Sequence, residues 1–299
     1  MFDGDHRVSF GITPTGWTND DFPEIGDDIG FEQCVSEIAL AGFEGSSVGH
    51  KFPTDPEVLS RALRLRGLRV SEPWASTYFT APGMRERTLR AFQEQLDFMG
   101  AIGGNEIVVA ELTRAVHQQP VALQANKPVF DDAEWALLLA GLDELGERAA
   151  AAGMRLCYHH HMGTGVQTRE EVERLLAGTD PARVHLLLDT GHLAWSGDDP
   201  LALARERADR IGHVHLKDLR ADVLERARRE DPSFHDAILA GIFTVPGDGM
   251  LDFVPVLRAL DEGGYAGWLV VEAEQDPAKA EPLAYAKKAR EYLHAVTGR

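Results

Sequence analysis

The chain has 299 residues, 44% of them hydrophobic and 26% charged, with a formal net charge of -18 at pH 7. This composition is typical of a globular protein with a large core, and the negative charge repels phosphate backbones, so no nucleic-acid partner is expected. There is no apolar run of about 18 residues to cross a membrane, no signal-peptide pattern at the start, and two cysteines are too few for a disulfide framework, so a cytoplasmic protein is expected.

Short apolar runs alternate with amphipathic segments along the whole chain. The predicted strands are 7–12, 43–48, 68–74, 105–110, the run 154–161, 184–188, 211–216 and 267–271. Helical spacing or helix-start signals predict helices between them and after the last one. Eight alternations without a low-complexity linker predict a single α/β domain over 1–299, a parallel (β/α)₈ TIM barrel. A doubly wound, dinucleotide-binding sheet is disfavoured, because the sequence has no Gly-x-Gly-x-x-Gly motif at the start of the first predicted helix.

Local signals predict where several helices begin. Asp-Pro pairs at 55–56, 199–200 and 276–277 combine a capping side chain with proline at the first helical position. Thr168 and Glu171 have the spacing of a capping box. The segment 218–250 is longer than an ordinary connection and is a candidate lid.

Ionisable residues follow the last four predicted strands. In a TIM barrel the carboxyl ends of the strands face one mouth, so side chains from His159, Asp189, His215 and Glu272 are expected to converge. Carboxylate and imidazole ligands with open positions suit Mn²⁺, Co²⁺ or Zn²⁺. Because side chains alternate along a strand, His161 shares the direction of His159 and lies closer to the substrate. A polar turn or a chance cluster is the alternative for the three histidines.

A metal with two open positions can bind a ketone oxygen and a neighbouring hydroxyl of a polyol, and it acidifies the hydrogen between them. Lys217 is then expected to hold the developing oxyanion or the leaving hydroxyl, and His192 to move a proton. A structural pairing of Lys217 with Asp218 or a nearby carboxylate stays open.

The first two loops offer groups for a sugar-like ring. Trp17 is expected to provide an apolar platform, and Asn19 and Lys51 are expected to bind hydroxyl groups. The alternative for Trp17 is that it only covers the end of the barrel.

Several motifs carry a resemblance to known proteins. The segments 189–192, 213–218, 246–249 and 270–272 look like the xylose isomerase-like barrels, which include sugar isomerases, epimerases and endonuclease-type enzymes. The segments 16–20, 159–164, 243–249 and 267–277 are similar to the inosose dehydratase family within them. The resemblance implies dehydration of 2-keto-myo-inositol (scyllo-inosose) to a trihydroxycyclohexane-1,2-dione in inositol catabolism, with Mn²⁺ or Co²⁺ and with glutathione.

The chain departs from the family pattern at three positions. The superfamily usually has a glutamate where this sequence has His159, and an acidic residue and an asparagine are expected at Ser47 and His50. A related substrate therefore stays open. Two other functions also stay open: a metal-dependent ketose or inosose epimerase or isomerase, and a non-catalytic carbohydrate-binding barrel. Self-association into a homo-oligomer is not decided by the sequence.

Overall fold

The computed structural model describes residues 1–2 and 7–299, so part of the segment searched for a signal peptide lies outside the described residues. A curled parallel sheet forms its centre, and a small antiparallel ribbon lies beside it. The strands are β1 Val8–Ile12, β2 Gly45–Ser46, β3 Arg69–Val70, β4 Trp74–Thr77, β5 Glu106–Glu111, β6 Arg155–His159, β7 Val184–Asp189, β8 Ile211–Leu216, β9 Asp218–Leu219, β10 Phe243–Thr244 and β11 Gly267–Val271.

The sheet closes on itself through one interrupted strand. Its order is β3-β2-β1-β11-β8-β7-β6-β5-β4, and β3 and β4 are the two ends of the segment 69–77. The interruption lies at Pro73, which has no N–H to donate to a neighbouring strand. The backbone still pairs on both sides there, because Val48 N donates to Glu72 O at 3.0 Å and Val108 N donates to Pro73 O at 3.2 Å. The predicted (β/α)₈ TIM barrel is confirmed.

Helices surround the barrel. They are α1 Phe31–Ala41, α2 Pro56–Arg64, α3 Arg85–Ile102, α4 Asp132–Ala151, α5 Arg169–Gly178, α6 Thr190–Ser196, α7 Pro200–Glu206, α8 Ala221–Glu230, α9 Phe234–Leu239, α10 Phe253–Glu262 and α11 Pro282–Thr297. The sheet is apolar because helices cover its outer face, and β5 to β8 are buried almost throughout. Among the described residues, no helix is both long enough and apolar enough to cross a membrane.

Most of the predicted helix starts are present. Asp55 and Asp199 accept hydrogen bonds from the first turns of α2 and α7, and Thr168 forms a capping box with Glu171. The prediction at 276–277 is wrong. Asp276 there closes a turn, and α11 begins at Pro282 behind its own cap, Glu281.

The segment 218–250 folds as β9, α8, α9 and β10. Asp218 closes it by accepting from the N–H groups of Gly249 at 3.0 Å and Leu251 at 2.9 Å. Phe234 and Phe243 from this segment are completely buried beside the barrel mouth. The segment therefore forms a packed wall in this structure, and its movement as a lid remains a prediction.

Candidate active site

Four strand ends meet at the mouth of the barrel. His159 Nε2 lies 3.4 Å from Asp189 Oδ2, and His215 Nδ1 lies 2.8 Å from Glu272 Oε2 and 3.8 Å from Asp189 Oδ2. The parallel register explains this convergence, because Asp189 pairs directly with His215 across β7 and β8. The four residues predicted as metal ligands are thus neighbours in the structure.

Asp189 uses its two oxygens differently. Oδ1 caps α6 by accepting from His192 N at 2.8 Å. Among the described residues, Oδ2 has no hydrogen-bond partner, and neither ring nitrogen of His159 has one. Leaving buried polar atoms unpaired costs about 1–3 kcal/mol each, and a divalent cation would satisfy them. Three of the predicted ligands, His159, Asp189 and Glu272, offer ligand atoms within 4.8 Å of one another together with His192, so this group could hold an ion. His215 belongs to a second such group with Glu72 and His213.

Burial and neighbouring charges both shift the pKa values of these groups, in the same direction for His159 and in opposite directions for His215 and Glu272. Burial, with a contribution from His215, holds the pKa of His159 well below its usual value, so this imidazole is neutral and keeps a lone pair. Burial also disfavours charge on His215, but Glu272 and Glu72 outweigh it and raise its pKa to about 10. Glu272 is buried, yet His215 and Lys217 hold its pKa well below the usual range.

Lys217 and His192, the predicted catalytic groups, lie behind the wall of the mouth. Both are completely buried, and Lys217 Nζ lies 2.9 Å from His192 Nε2, 2.8 Å from Glu274 Oε2 and 3.0 Å from Glu272 Oε2. Lys217 is not among the described residues that line the cavity, and the expectation that it touches a substrate oxygen stays a prediction. The alternative of pairing with nearby carboxylates describes its contacts, whereas Asp218 binds backbone N–H groups instead.

Gly191 makes room for the side chain of Lys217. A Cβ on Gly191 would lie 2.5 Å from Lys217 Cγ, so a larger residue there would push the lysine stem away.

A cavity of about 240 Å³ opens above the four strand ends. Asn19 and His161, both predicted to bind substrate, lie in its wall. The Oδ1 of Asn19 holds the N–H groups of Asp21 and Phe22, and its Nδ2 has no partner among the described residues. His161 Nδ1 is 2.8 Å from Met162 O, which leaves Nε2 free.

The other two predicted substrate residues lie away from the cavity. Trp17 is 1% exposed, and its indole N–H donates to Glu37 Oε2 at 2.6 Å. Lys51 Nζ donates to three backbone carbonyls, those of Gly26, Asp27 and Ile29. Polar partners hold both side chains in this structure, and the expected contacts of Trp17 and Lys51 with substrate stay predictions.

The wall contains residues that were not predicted as site residues, and three of them, Trp74, Glu72 and Glu274, lie beside the strand ends. Trp74 is 37% exposed, and its ring meets His159 edge to face at 5.6 Å. Glu72 and Glu274 also face the cavity. Glu274 could have been found, because it follows Glu272 by two residues and alternation gives the two the same direction. Glu72 lies at the interruption of a strand, where the local pattern carries no such signal.

Two of the three departures from the family pattern, Ser47 and His50, lie at the rim, and the third, His159, is one of the four strand-end residues described above. Ser47 lines the cavity. His50 Nδ1 lies 2.7 Å from Asp20 Oδ1, so it joins the first two loops.

Comparisons with known proteins show the family of the chain. A family model described as xylose isomerase-like TIM barrel matches residues 33–296. An inosose dehydratase of Geobacillus thermodenitrificans is 52% identical over 98% of this chain and 99% of its own. One of Clostridium beijerinckii is 48% identical over 98% of each chain.

Solved structures share the fold at lower identity. A structure described as IOLI protein with a binding zinc atom has a TM-score of 0.71 and 16% identity, covering 97% of this chain and 100% of its own. A D-allulose 3-epimerase from Methylomonas has a TM-score of 0.69 and 18% identity, covering 98% of each chain. The whole-length likeness to the curated relatives is decisive, and the chain belongs to the inosose dehydratase family of xylose isomerase-like TIM barrels.

Proposed function

We propose that the protein is a hydro-lyase that converts 2-keto-myo-inositol to a trihydroxycyclohexane-1,2-dione in inositol catabolism. The observation that carries the proposal is the meeting of His159, Asp189, His215 and Glu272 beneath a polar cavity. It is supported by relatives named inosose dehydratase that align along almost the whole chain.

These four residues would hold a divalent ion, Mn²⁺ or Co²⁺ by family resemblance, with Zn²⁺ as a third candidate. The unpartnered atoms of His159 and Asp189 are the reason to expect one. When bound, the ion supplies Lewis-acid polarisation of the ketone oxygen and a neighbouring hydroxyl.

The remaining chemistry is a proton transfer within the cavity. The C–H bond next to the ketone breaks, the C–O bond on the following carbon breaks, water leaves, and the resulting enol rearranges to the dione. Glu274 faces the cavity, and Lys217 holds it from behind at 2.8 Å. We assign to Glu274 the transfer of the carbon-bound proton to the departing hydroxyl. His192 and Lys217 then act through Glu274 as positioning residues.

The cavity suits a small ring with many hydroxyl groups. Its volume of about 240 Å³ lies below the range of about 300–1,000 Å³ typical of drug-sized ligands. His161 Nε2 accepts a hydrogen bond from a ring hydroxyl, Asn19 Nδ2 donates one, and Trp74 covers one side of the ring. Further hydroxyl and amide groups in the wall are Thr13, Thr15, Ser47, Ser76 and Gln118.

The test is incubation of the purified protein with Mn²⁺ or Co²⁺ and scyllo-inosose, with and without glutathione, followed by ultraviolet detection of the dione. Glu274→Gln should lower kcat at least about 100-fold, as expected for loss of a general acid–base, while the bound metal stays unchanged. An isomeric ketose would indicate the epimerase, and saturable binding without turnover would indicate the binding protein. Either result contradicts the proposal.

A further inference from the structure

The buried carboxylate Glu72 joins two histidines of the barrel interior. Its Oε1 lies 3.1 Å from His215 Nε2, and its Oε2 lies 3.4 Å from His213 Nε2. We infer that Glu72 positions His215 as a metal ligand, by accepting the hydrogen bond from Nε2–H so that the Nδ1 lone pair faces the ion. This inference rests on the metal ligands assigned in the proposed function.

The ring of His215 is oriented with Nδ1 towards the other proposed ligands. Nδ1 lies 2.8 Å from Glu272 Oε2 and 3.8 Å from Asp189 Oδ2. A neutral imidazole carries one proton, so a ring that binds an ion through Nδ1 carries its proton on Nε2. Ligating histidines commonly give this second N–H to a carboxylate, which fixes the ring and its tautomer. The carboxylate in reach is Glu72.

The interruption between β3 and β4 places Glu72 next to His215. Glu72 precedes Pro73, and a residue before proline is held in an extended conformation. The carbonyls of Glu72 and Pro73 accept from Val48 and Val108, so the barrel stays closed. The Glu72 side chain meanwhile reaches the floor of the cavity, where it is 2% exposed.

A second pair of residues keeps Glu72 fixed. His213, which faces its other oxygen, has Nδ1 at 2.5 Å from Glu106 Oε2. Carboxylates and imidazoles therefore alternate down the barrel from Glu272 to Glu106. Glu72 Oε2 and His213 Nε2 are in ionic contact at 3.4 Å without forming a hydrogen bond, and both side chains are buried. This close packing restricts how far Glu72 Oε1 can move from His215.

The experiment compares Glu72→Leu and Glu72→Gln with a matched control, Glu111→Gln. Glu111 is also a buried glutamate of the barrel, but it contacts Thr77, Phe79 and Thr80 instead of the histidines. Metal-free proteins are titrated with Co²⁺ and followed by visible absorption. Glu72→Leu should bind Co²⁺ about 10–100-fold more weakly. Glu72→Gln keeps an oxygen acceptor and should lose far less, and the control should match the wild type.

Nuclear magnetic resonance of the zinc-loaded, ¹⁵N-labelled protein provides a second readout. The wild type should show a slowly exchanging Nε2–H of His215 that is absent in Glu72→Leu. Co²⁺ affinity of Glu72→Leu within threefold of the wild type would overturn the inference. So would a loss in Glu72→Gln equal to that in Glu72→Leu, or a wild-type His215 that binds zinc through Nε2.

The wild-type spectrum and the Gln variant decide the matter even if the Leu variant does not fold. Neither readout involves turnover. If dehydration of inosose is not observed while both readouts are as expected, only the proposed function fails.

Discussion

Trp17 was expected at the substrate because it lies in a polar loop, yet the fold buries it. Trp17→Phe removes the hydrogen bond to Glu37 and part of a packed ring. It should lower the free energy of unfolding by about 1–3 kcal/mol and leave KM unchanged. Denaturant unfolding and steady-state kinetics measure the two effects.

The control is the aromatic residue that does face the cavity. Trp74→Phe should raise KM about two- to tenfold through a weaker aromatic contact and change the unfolding free energy little, because Trp74 is partly exposed. If instead Trp17→Phe raised KM and left stability intact, the original expectation for Trp17 would be right.

Lys217 is a positive charge among buried carboxylates, with Asp189 Oδ2 at 3.5 Å and closer contacts to Glu272 and Glu274. Removing one partner of a buried ion pair costs about 3–5 kcal/mol, because the other charge stays buried. Lys217→Met should show a loss of this size in urea unfolding. Lys287→Met, at an exposed position of α11, is the control and should have no measurable effect. A Lys217 variant as stable as the wild type would contradict the ion-pair arrangement.

Among the helices and strands, the elements predicted best are the buried strands, because each is a short apolar run that can be seen in the local sequence. The strands 211–216 and 267–271 were predicted with the observed bounds, because a strand covered on both faces is a short apolar run. The metal-ligand candidates were predictable for the same reason, since each follows such a run. The broken third strand was not, because pairing across the closure of the barrel depends on residues far away in sequence. The seven-residue α6 is too short to show a helical period.

The wrong helix start at 276–277 gives a prediction about α11. Its cap is Glu281, whose side chain accepts from the N–H groups of Leu283 and Ala284. Glu281→Ala should lower the unfolding free energy by about 1 kcal/mol, the usual cost of losing a cap. Asp276→Ala removes a turn contact and an ion pair with the exposed Lys279, and it should cost less. Thermal unfolding of both variants would show the order, and a larger loss in Asp276→Ala would contradict this assignment of the cap.

On the scale of the whole molecule, ionisable side chains that are remote in sequence lie together at the mouth of the barrel. The four proposed ligands come from the ends of β6, β7, β8 and β11. Burying the carboxylate of Asp189 among them has a cost, whereas His215 and Lys217 stabilise the charge of Glu272. Burial raises the pKa of Asp189, which expresses the same cost in the absence of an ion. Binding of the ion should therefore be coupled to global unfolding rather than to the movement of one loop.

This coupling predicts a metal-dependent melting temperature. A ligand that binds only the folded state at 100 times its Kd stabilises it by about 2.7 kcal/mol, which corresponds to a rise in Tm of about 4 °C for a chain of this length. Chelator-treated protein should regain this rise when Mn²⁺ or Co²⁺ is added, as measured by calorimetry. Glu272→Gln should show a much smaller rise, whereas Glu111→Gln, which leaves the four ligands in place, should keep it. An equal rise in Glu272→Gln would show that the stabilising ion binds elsewhere on the molecule.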